Sequence, residues 1–443
     1  MAIRYWTGAV NGGTGTWDTT TTTNWSTTSG GAGGASAPVA GDTAIFDGNS
    51  GAGTCTLGAS VSVDVLTMSA YTGTLAFSTN TISLLATSGT VFTGGTGYTL
   101  TGSKNVILSG GGALTRTVTA AAPAVGNAVN VAVTSGTGEI LFTGRMGDLD
   151  FTGFSGTLGT NFFGVYGNLT FSATMSLISN ANSIGLFASG TTKTITTNGV
   201  SFTRGLYVEA PNSTWVLNDN LTMIATRQLL LYNGTLNING KTLTIGNLLT
   251  NYTLARGLNF GTNGTLIVLD SGSAAVNAST STNLTISGTG TISMTSASAK
   301  TFEGGGKSWP TLNQGGAGAL TITGANTFTS ITNTVQPATI TFPASTTTTV
   351  GAFAVSGTSG NLITINSSSA GTRATLSDAS GVNSVSFCDI KDINATGGAT
   401  WNAFYANGNV DSGNNLNWDF GGTPSVSTEV TYRIRSFTTP RRF

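Results

Sequence analysis

The sequence predicts an all-β protein: a right-handed parallel β-helix with aromatic-rich terminal caps and a C-terminal extension. Three observations lead there. The first is composition. Only 8% of the 443 residues are charged, against about 25% in an average soluble protein, while Thr, Ser, Asn and 63 Gly dominate. The usual helix formers Lys, Glu and Gln are scarce, and the abundant residues favour strands, corners and turns. Second, no long stretch places apolar residues at i, i+3, i+4 and i+7, so a coiled-coil stalk is not expected. Third, short alternating segments recur: "GTLAF" from Gly73, "GTLNI" from Gly234, "GTLIV" from Gly264, "GTISM" from Gly290, "NLTF" from Asn168 and "NLTI" from Asn283. From Gly234 onward their spacing falls in the range of about 20–30 residues that one solenoid coil occupies.

The stretch "GTLNINGKTLTIG" (234–246) tests the reading locally. Leu236 and Ile238, then Leu243 and Ile245, flank an Asn-Gly corner. A tight hairpin with Leu236 facing Leu243 fits these residues equally well, and a set of small antiparallel sandwiches is the corresponding alternative fold. The surface chemistry favours the solenoid. In a parallel stack each side chain sits about 4.8 Å above its equivalent one coil away. Like charges in such a column repel, whereas Thr, Ser and Asn can hydrogen-bond along it. The expected body is about 15 coils, or about 70 Å long.

Taken in order, residues 1–50 form an N-terminal cap or attachment segment, because Trp6, Trp17 and Trp25 crowd it and a solenoid end needs covering. Between Arg4 and Lys104 the only charges are acidic, Asp18, Asp42, Asp47 and Asp64. Residues 51–326 form the β-helix body. Residues 327–420 form a C-terminal β-helix module whose cap contains Trp401 and Trp418. Within it, Trp401, Phe404, Tyr405, Asn407 and Asn409 are the candidate cap or docking surface. A Gly-Gly-Thr-Pro break opens a basic arm over 421–443. There Val430, Tyr432 and Ile434 alternate with Thr431, Arg433 and Arg435 in a strand pattern. Tyr432, Arg433, Arg435, Arg441 and Arg442 are the candidate docking arm, able to add a strand to a neighbouring subunit.

Chemistry is sparse. With 17 basic and 17 acidic residues the net charge is zero, so the dense basic face of a nucleic-acid groove is not expected. No window approaches the ~18 apolar residues of a membrane span, and the opening "MAIRYWTGAVNGG" lacks the apolar run of a secretory signal. The absence of His removes Ser-His-Asp and Cys-His arrangements and imidazole metal ligands. Cys55 and Cys388, far apart in sequence, suggest reduced thiols, and no cofactor or metal is expected. Carboxylates alone can serve polysaccharide cleavage. Asp148 and Asp150 in "RMGDLDF" share a face beside Arg145 if the segment is one strand, and Asp389, Asp392, Asp411 and Asp419 follow later. Surface or corner acids are the ordinary explanation for all of them. "TFEGGGKSWP" (301–310) ends in Gly-Lys-Ser, but Thr301 stands where a phosphate loop needs its first Gly, and Trp309-Pro310 follows in place of a helix.

Two segments carry a family resemblance. The stretch 327–420, with "TFPASTTTTV", "SGTSGNLITI", "GTRATLS", "NATGGATW" and "NVDSGNNLNWDF", resembles a module of virion and tail-associated proteins of tailed bacteriophages and of some bacterial surface proteins. The opening 5–48, "YWTGAVNGGTGTWDTTTTTNW…IFDG", resembles the segment that often travels with it. Together they cover about a third of the chain. The resemblance implies a non-enzymatic β-helical virion protein, a homotrimer assembled in the host cytoplasm beside other tail or capsid proteins. A fibre or spike would present a host-attachment face to a surface glycan or envelope receptor. A capsid decoration or a polysaccharide-degrading tailspike are the alternatives, and no catalytic residue carries over.

Overall fold

The computed structural model describes residues 1–270 and 274–422. The chain winds as a β-solenoid of about 17 turns, built from stacked parallel strands with almost no helix. Its interior is a set of apolar columns. Phe163, Ile184, Leu206, Leu229, Leu248, Val276, Phe302 and Ile322 lie on successive rungs in register, and all are fully buried. Burying each such side chain contributes roughly 1.5–3 kcal/mol, so the stack is held by repetition.

The stretch 234–246 is a solenoid corner. Gln228–Asn237 pairs in parallel with Leu206–Leu217 below and with Arg256–Asn259 above, while Thr242–Ile245 pairs with Leu221–Thr222 and Gly264–Val268 on another face. Leu236 and Leu243 therefore sit on different sheets, both pointing inward. The corner works because Asn239 and Gly240 adopt φ of 56° and 71°, a left-handed conformation that Asn and Gly tolerate best. The Asn239 amide then donates to the Leu217 carbonyl one coil below at 3.1 Å. Asn198 and Asn417 do the same to Phe171 and Ala395.

Hydroxyl and amide columns run along the outside as expected. Thr242, Thr265, Thr291 and Thr311 stack in register. Beside them Asn313 donates to Ser293 and Thr334, and receives a bond from Thr332. The parallel ladder runs through 50/51 and 326/327 without a break, since Gly15–Trp17 pairs with Thr54–Leu57 and Leu320–Thr323 pairs with Ala338–Phe342.

Both ends carry aromatic clusters. At the N-terminus Trp6, Trp17, Trp25, Phe46 and Tyr71 pack with ring centroids 5.1–5.8 Å apart. There Ile3–Trp6 pairs antiparallel with Trp25–Ser26, a reversal that ends the parallel ladder. At the other end Trp401 and Trp418 meet at 5.1 Å over Phe353. Cys55 and Cys388 are buried free thiols.

Buried cations were not anticipated. Arg116, Arg204, Arg256 and Lys300 are each no more than 3% exposed, and they donate to backbone carbonyls and, from Arg256, to one hydroxyl. Arg204 donates to Gly159, Asn182 and Asn161 carbonyls, tying three coils together. Arg256 reaches Thr250, Leu254, Thr280 and Thr282, and Arg116 reaches Gly110 and Ser135. Lys300 donates to Ser296 and Gly318 carbonyls at 3.0 and 2.7 Å.

Burial pushes the Lys300 ammonium down to about 8 from 10.5. In the native state this proton leaves near pH 8, while the unfolded chain keeps it to about 10.5. The unfolded state therefore binds more protons between those values, and stability gains a term that rises with pH across that window and is flat outside it. Buried tyrosines such as Tyr71 and Tyr98 titrate high and give the opposite slope above pH 10, so the comparison must be a difference. The melting temperature of wild type minus that of Lys300→Met should climb from pH 8 to 10.5. A difference that stays constant with pH would remove the Lys300 account.

Candidate binding surface

The residues singled out at the C-terminal end divide by role. Trp401 is buried in the end cluster and donates its indole N–H to the Thr396 carbonyl at 3.2 Å. Asn409, also buried, accepts from the Cys388 amide and donates to the Val385 and Phe404 carbonyls, so it closes the backbone of the last coil. Tyr405 stacks on Phe420 with centroids 5.4 Å apart, and Phe404 lies against Gly421. Asn407 alone is exposed. Packing accounts for most of this set. Tyr432, Arg433, Arg435, Arg441 and Arg442 lie outside the described residues.

The candidate carboxylates serve corners. "RMGDLDF" is not one strand: Glu139–Met146 ends before Gly147 and Asp148, and Leu149–Asp150 begins the next face. The one-strand premise that set both acids beside Arg145 therefore fails, because a corner falls between Arg145 and Asp150. Asp148 accepts from the Asn168 amide at 2.6 Å, and Asp150 accepts from the Thr152 amide and hydroxyl. Both still line one depression of about 250 Å³ with Asn105 and Asn130. Asp392 accepts from Asn414 and from the Gly371 amide, which hold its carboxyl below the ordinary value. Asp389, Asp411 and Asp419 likewise accept from nearby hydroxyls, amides or backbone N–H groups. Gly305 and Gly306 form a corner followed by Ser308–Trp309, a strand, which agrees with rejecting a phosphate loop there. Among the described residues no cluster of three acidic or thiol groups is placed to hold a metal, and no helix is long and apolar enough to cross a membrane.

A surface that sequence reading missed lies on the middle coils. Arg145, Gly164, Gly185, Tyr207, Leu230 and Leu249 occupy one outward column. The two glycine rungs leave a slot that the Phe187 ring fills: a Cβ at 164 or 185 would lie 2.4 or 2.1 Å from it. Phe162, Phe187, Tyr207, Tyr232 and Tyr252 then run along the axis, each ring 4.8–6.3 Å from the next. The Arg145 guanidinium lies 3.9 Å over Phe187 and donates to the Tyr166 hydroxyl at 3.1 Å, a cation–π contact that fixes its position. Tyr207 donates to Glu209 at 2.8 Å; burial, then this carboxylate, pushes its phenol well above the ordinary value. A sequence signal existed, since Phe187, Tyr207, Tyr232 and Tyr252 follow one another at the coil period.

Tyr166 also walls a cleft of about 280 Å³ lined by Ser103, Lys104, Asn130, Asp148 and Lys193. Five coils contribute, so the cleft extends about 20 Å along the axis. Asn130 braces it, donating to the Ser103 carbonyl and Asn105 and accepting from the Asp148 amide. Lys104 donates to the Gly126 carbonyl at 2.6 Å, whereas Lys193 makes no hydrogen bond or ion pair among the described residues. Set against known proteins, the chain matches no protein-family model, no curated protein and no solved structure.

Proposed function

We propose that this chain is a non-enzymatic virion structural protein of a tailed bacteriophage, a rigid fibre or spike-type element that holds a host-binding face away from the particle. The carrying observation is the rod: about 17 stacked turns with aromatic clusters at both ends. Most inner strands have their backbone hydrogen bonds taken by the coils above and below, which favours stiffness and resistance to proteolysis. The virion assignment rests on the motifs in 5–48 and 327–420; association as a homotrimer with other virion proteins belongs to the same reading.

Antibody labelling of intact particles, viewed by electron microscopy, tests it. Label is expected at the tail, and the purified protein should compete with phage for host cells. Label in many copies on the head, without competition, would transfer the assignment to capsid decoration; absence from particles would end the virion reading. Because Asp148 lines the cleft with Lys193, the competing polysaccharide-cleaving role is checked on the same preparation. Release of reducing or unsaturated ends from host glycan, lost in Asp148→Asn, would make the protein an enzyme.

A further inference from the structure

We infer that the cleft between Lys104 and Lys193, together with the aromatic ladder beside it, binds an anionic glycan lying along the solenoid axis. The inference rests on the surface-presenting reading above but locates the contact on the middle coils, away from both ends and from the arm. Three observations converge. The first is shape: the cleft is open, spans five coils and continues through Tyr166 into the ladder Phe187, Tyr207, Tyr232, Tyr252. An elongated, shallow, axially directed surface fits a linear chain of rings better than a compact small molecule.

The second is lining chemistry. Ser103, Ser189 and Thr191 offer hydroxyls in the cleft, and half-buried tyrosines present ring edges and phenol oxygens next to it. Alternating polar groups and aromatic rings meet the alternating hydroxyls and C–H faces of a sugar. Phe187 is itself buried and is held in its slot by two glycine rungs and by Arg145; it backs the half-buried Tyr207 ring, so the platform is rigid there before any ligand arrives.

The third is charge. In a chain with only 17 basic residues, two, Lys104 and Lys193, line this cleft against one carboxylate, Asp148, while Arg145, Asp150 and Glu209 lie beside it. Asp148 and Glu209 are fixed in position, Asp148 by the Asn168 backbone N–H and Glu209 by the Tyr207 hydroxyl. Lys193 has no partner among the described residues, and Lys104 uses only one of its donors, on a carbonyl. The cleft lining itself therefore carries one more positive than negative charge, which favours carboxylate-bearing sugars over neutral ones.

The test is calorimetric titration of the full-length protein with two sets of oligosaccharide probes: galacturonate, glucuronate and sialate oligomers, and neutral glucose and mannose oligomers of equal length. At least one acidic oligomer should bind, with affinity falling as salt rises. Lys193→Gln should weaken it about tenfold, the loss of one charge-assisted contact. Tyr232→Ala should weaken it too, and Lys391→Gln, on a distant exposed strand position, should not. Acidic oligomers that do not bind, bind no better than neutral ones, or ignore Lys193→Gln would overturn the inference. A circular-dichroism melt of each variant separates lost binding from lost folding. Tail labelling with no oligomer bound would refute this site and leave the virion role standing; binding by a protein absent from particles would do the reverse.

Discussion

Arg204→Met is expected to lower stability by about 3 kcal/mol and to loosen the coils around 159–204. Three guanidinium hydrogen bonds to the Gly159, Asn161 and Asn182 carbonyls contribute roughly 1.5–3 kcal/mol each. Against them stands the cost of burying the cation, visible in its pKa, which burial pushes down to about 10 from 12.5. That shift corresponds to about 3 kcal/mol. Methionine fills most of the volume and removes the burial cost, but it leaves the buried Gly159 carbonyl and the partly buried Asn161 and Asn182 carbonyls without this donor, a penalty of about 1–3 kcal/mol for each that water does not reach. Arg204→Lys should fall between, since one ammonium cannot span three coils with the guanidinium's fork. Hydrogen exchange is the appropriate readout, because a solenoid opens locally. Faster exchange confined to the amides of these coils is expected. Unchanged exchange in Arg204→Met would mean that the inter-coil staple adds nothing beyond packing.

Trp25→Ala should cost about 3–5 kcal/mol, the range for deleting a large buried aromatic side chain, and should also change how the molecules associate. Trp25 touches Trp6 at 5.2 Å, Trp17 at 5.1 Å and Phe46 at 5.8 Å, and its backbone supplies the antiparallel pairing that closes the first rung. A cavity there loosens Ile3–Trp6 and bares the edge of Thr43–Ile45, a template for another chain. Thermal unfolding should begin earlier, and sedimentation should show concentration-dependent oligomers absent from wild type. Trp25→Phe should restore most of the stability. If Trp25→Ala melted like wild type and sedimented identically, the N-terminal cluster would not be the cap.

Legibility followed the range of the interactions. The corner at Asn239-Gly240 and the alternation of Leu236, Ile238, Leu243 and Ile245 are local, and they were readable because backbone conformation and side-chain direction depend on neighbouring residues only. The end clusters were readable because Trp6, Trp17, Trp25, Trp401 and Trp418 stand outside a repetitive, tryptophan-poor middle. Arg116, Arg204, Arg256 and Lys300 were not: a cation between strands looks like a surface residue until coils close over it and add to its local acceptors carbonyls up to 45 residues away. The sequence reading sets Asp148 and Asp150 on one strand with Arg145, whereas a corner separates the strand of Arg145 from that of Asp150.

The aromatic ladder shows where local information stops. Equivalent positions Leu243, Leu266, Ile292, Leu312, Ile331 and Phe353 are 19 to 26 residues apart, so corner length varies from coil to coil. Alternation within each strand, the uncharged surface and the left-handed corners follow from the residues themselves, and they are enough to specify a stack of parallel coils. Which side chains stand above one another is set by hydrogen-bonded register after corners of unequal length have closed. That register, a property of the folded stack alone, brings Phe187, Tyr207, Tyr232 and Tyr252 into line and opens the cleft beside Lys193.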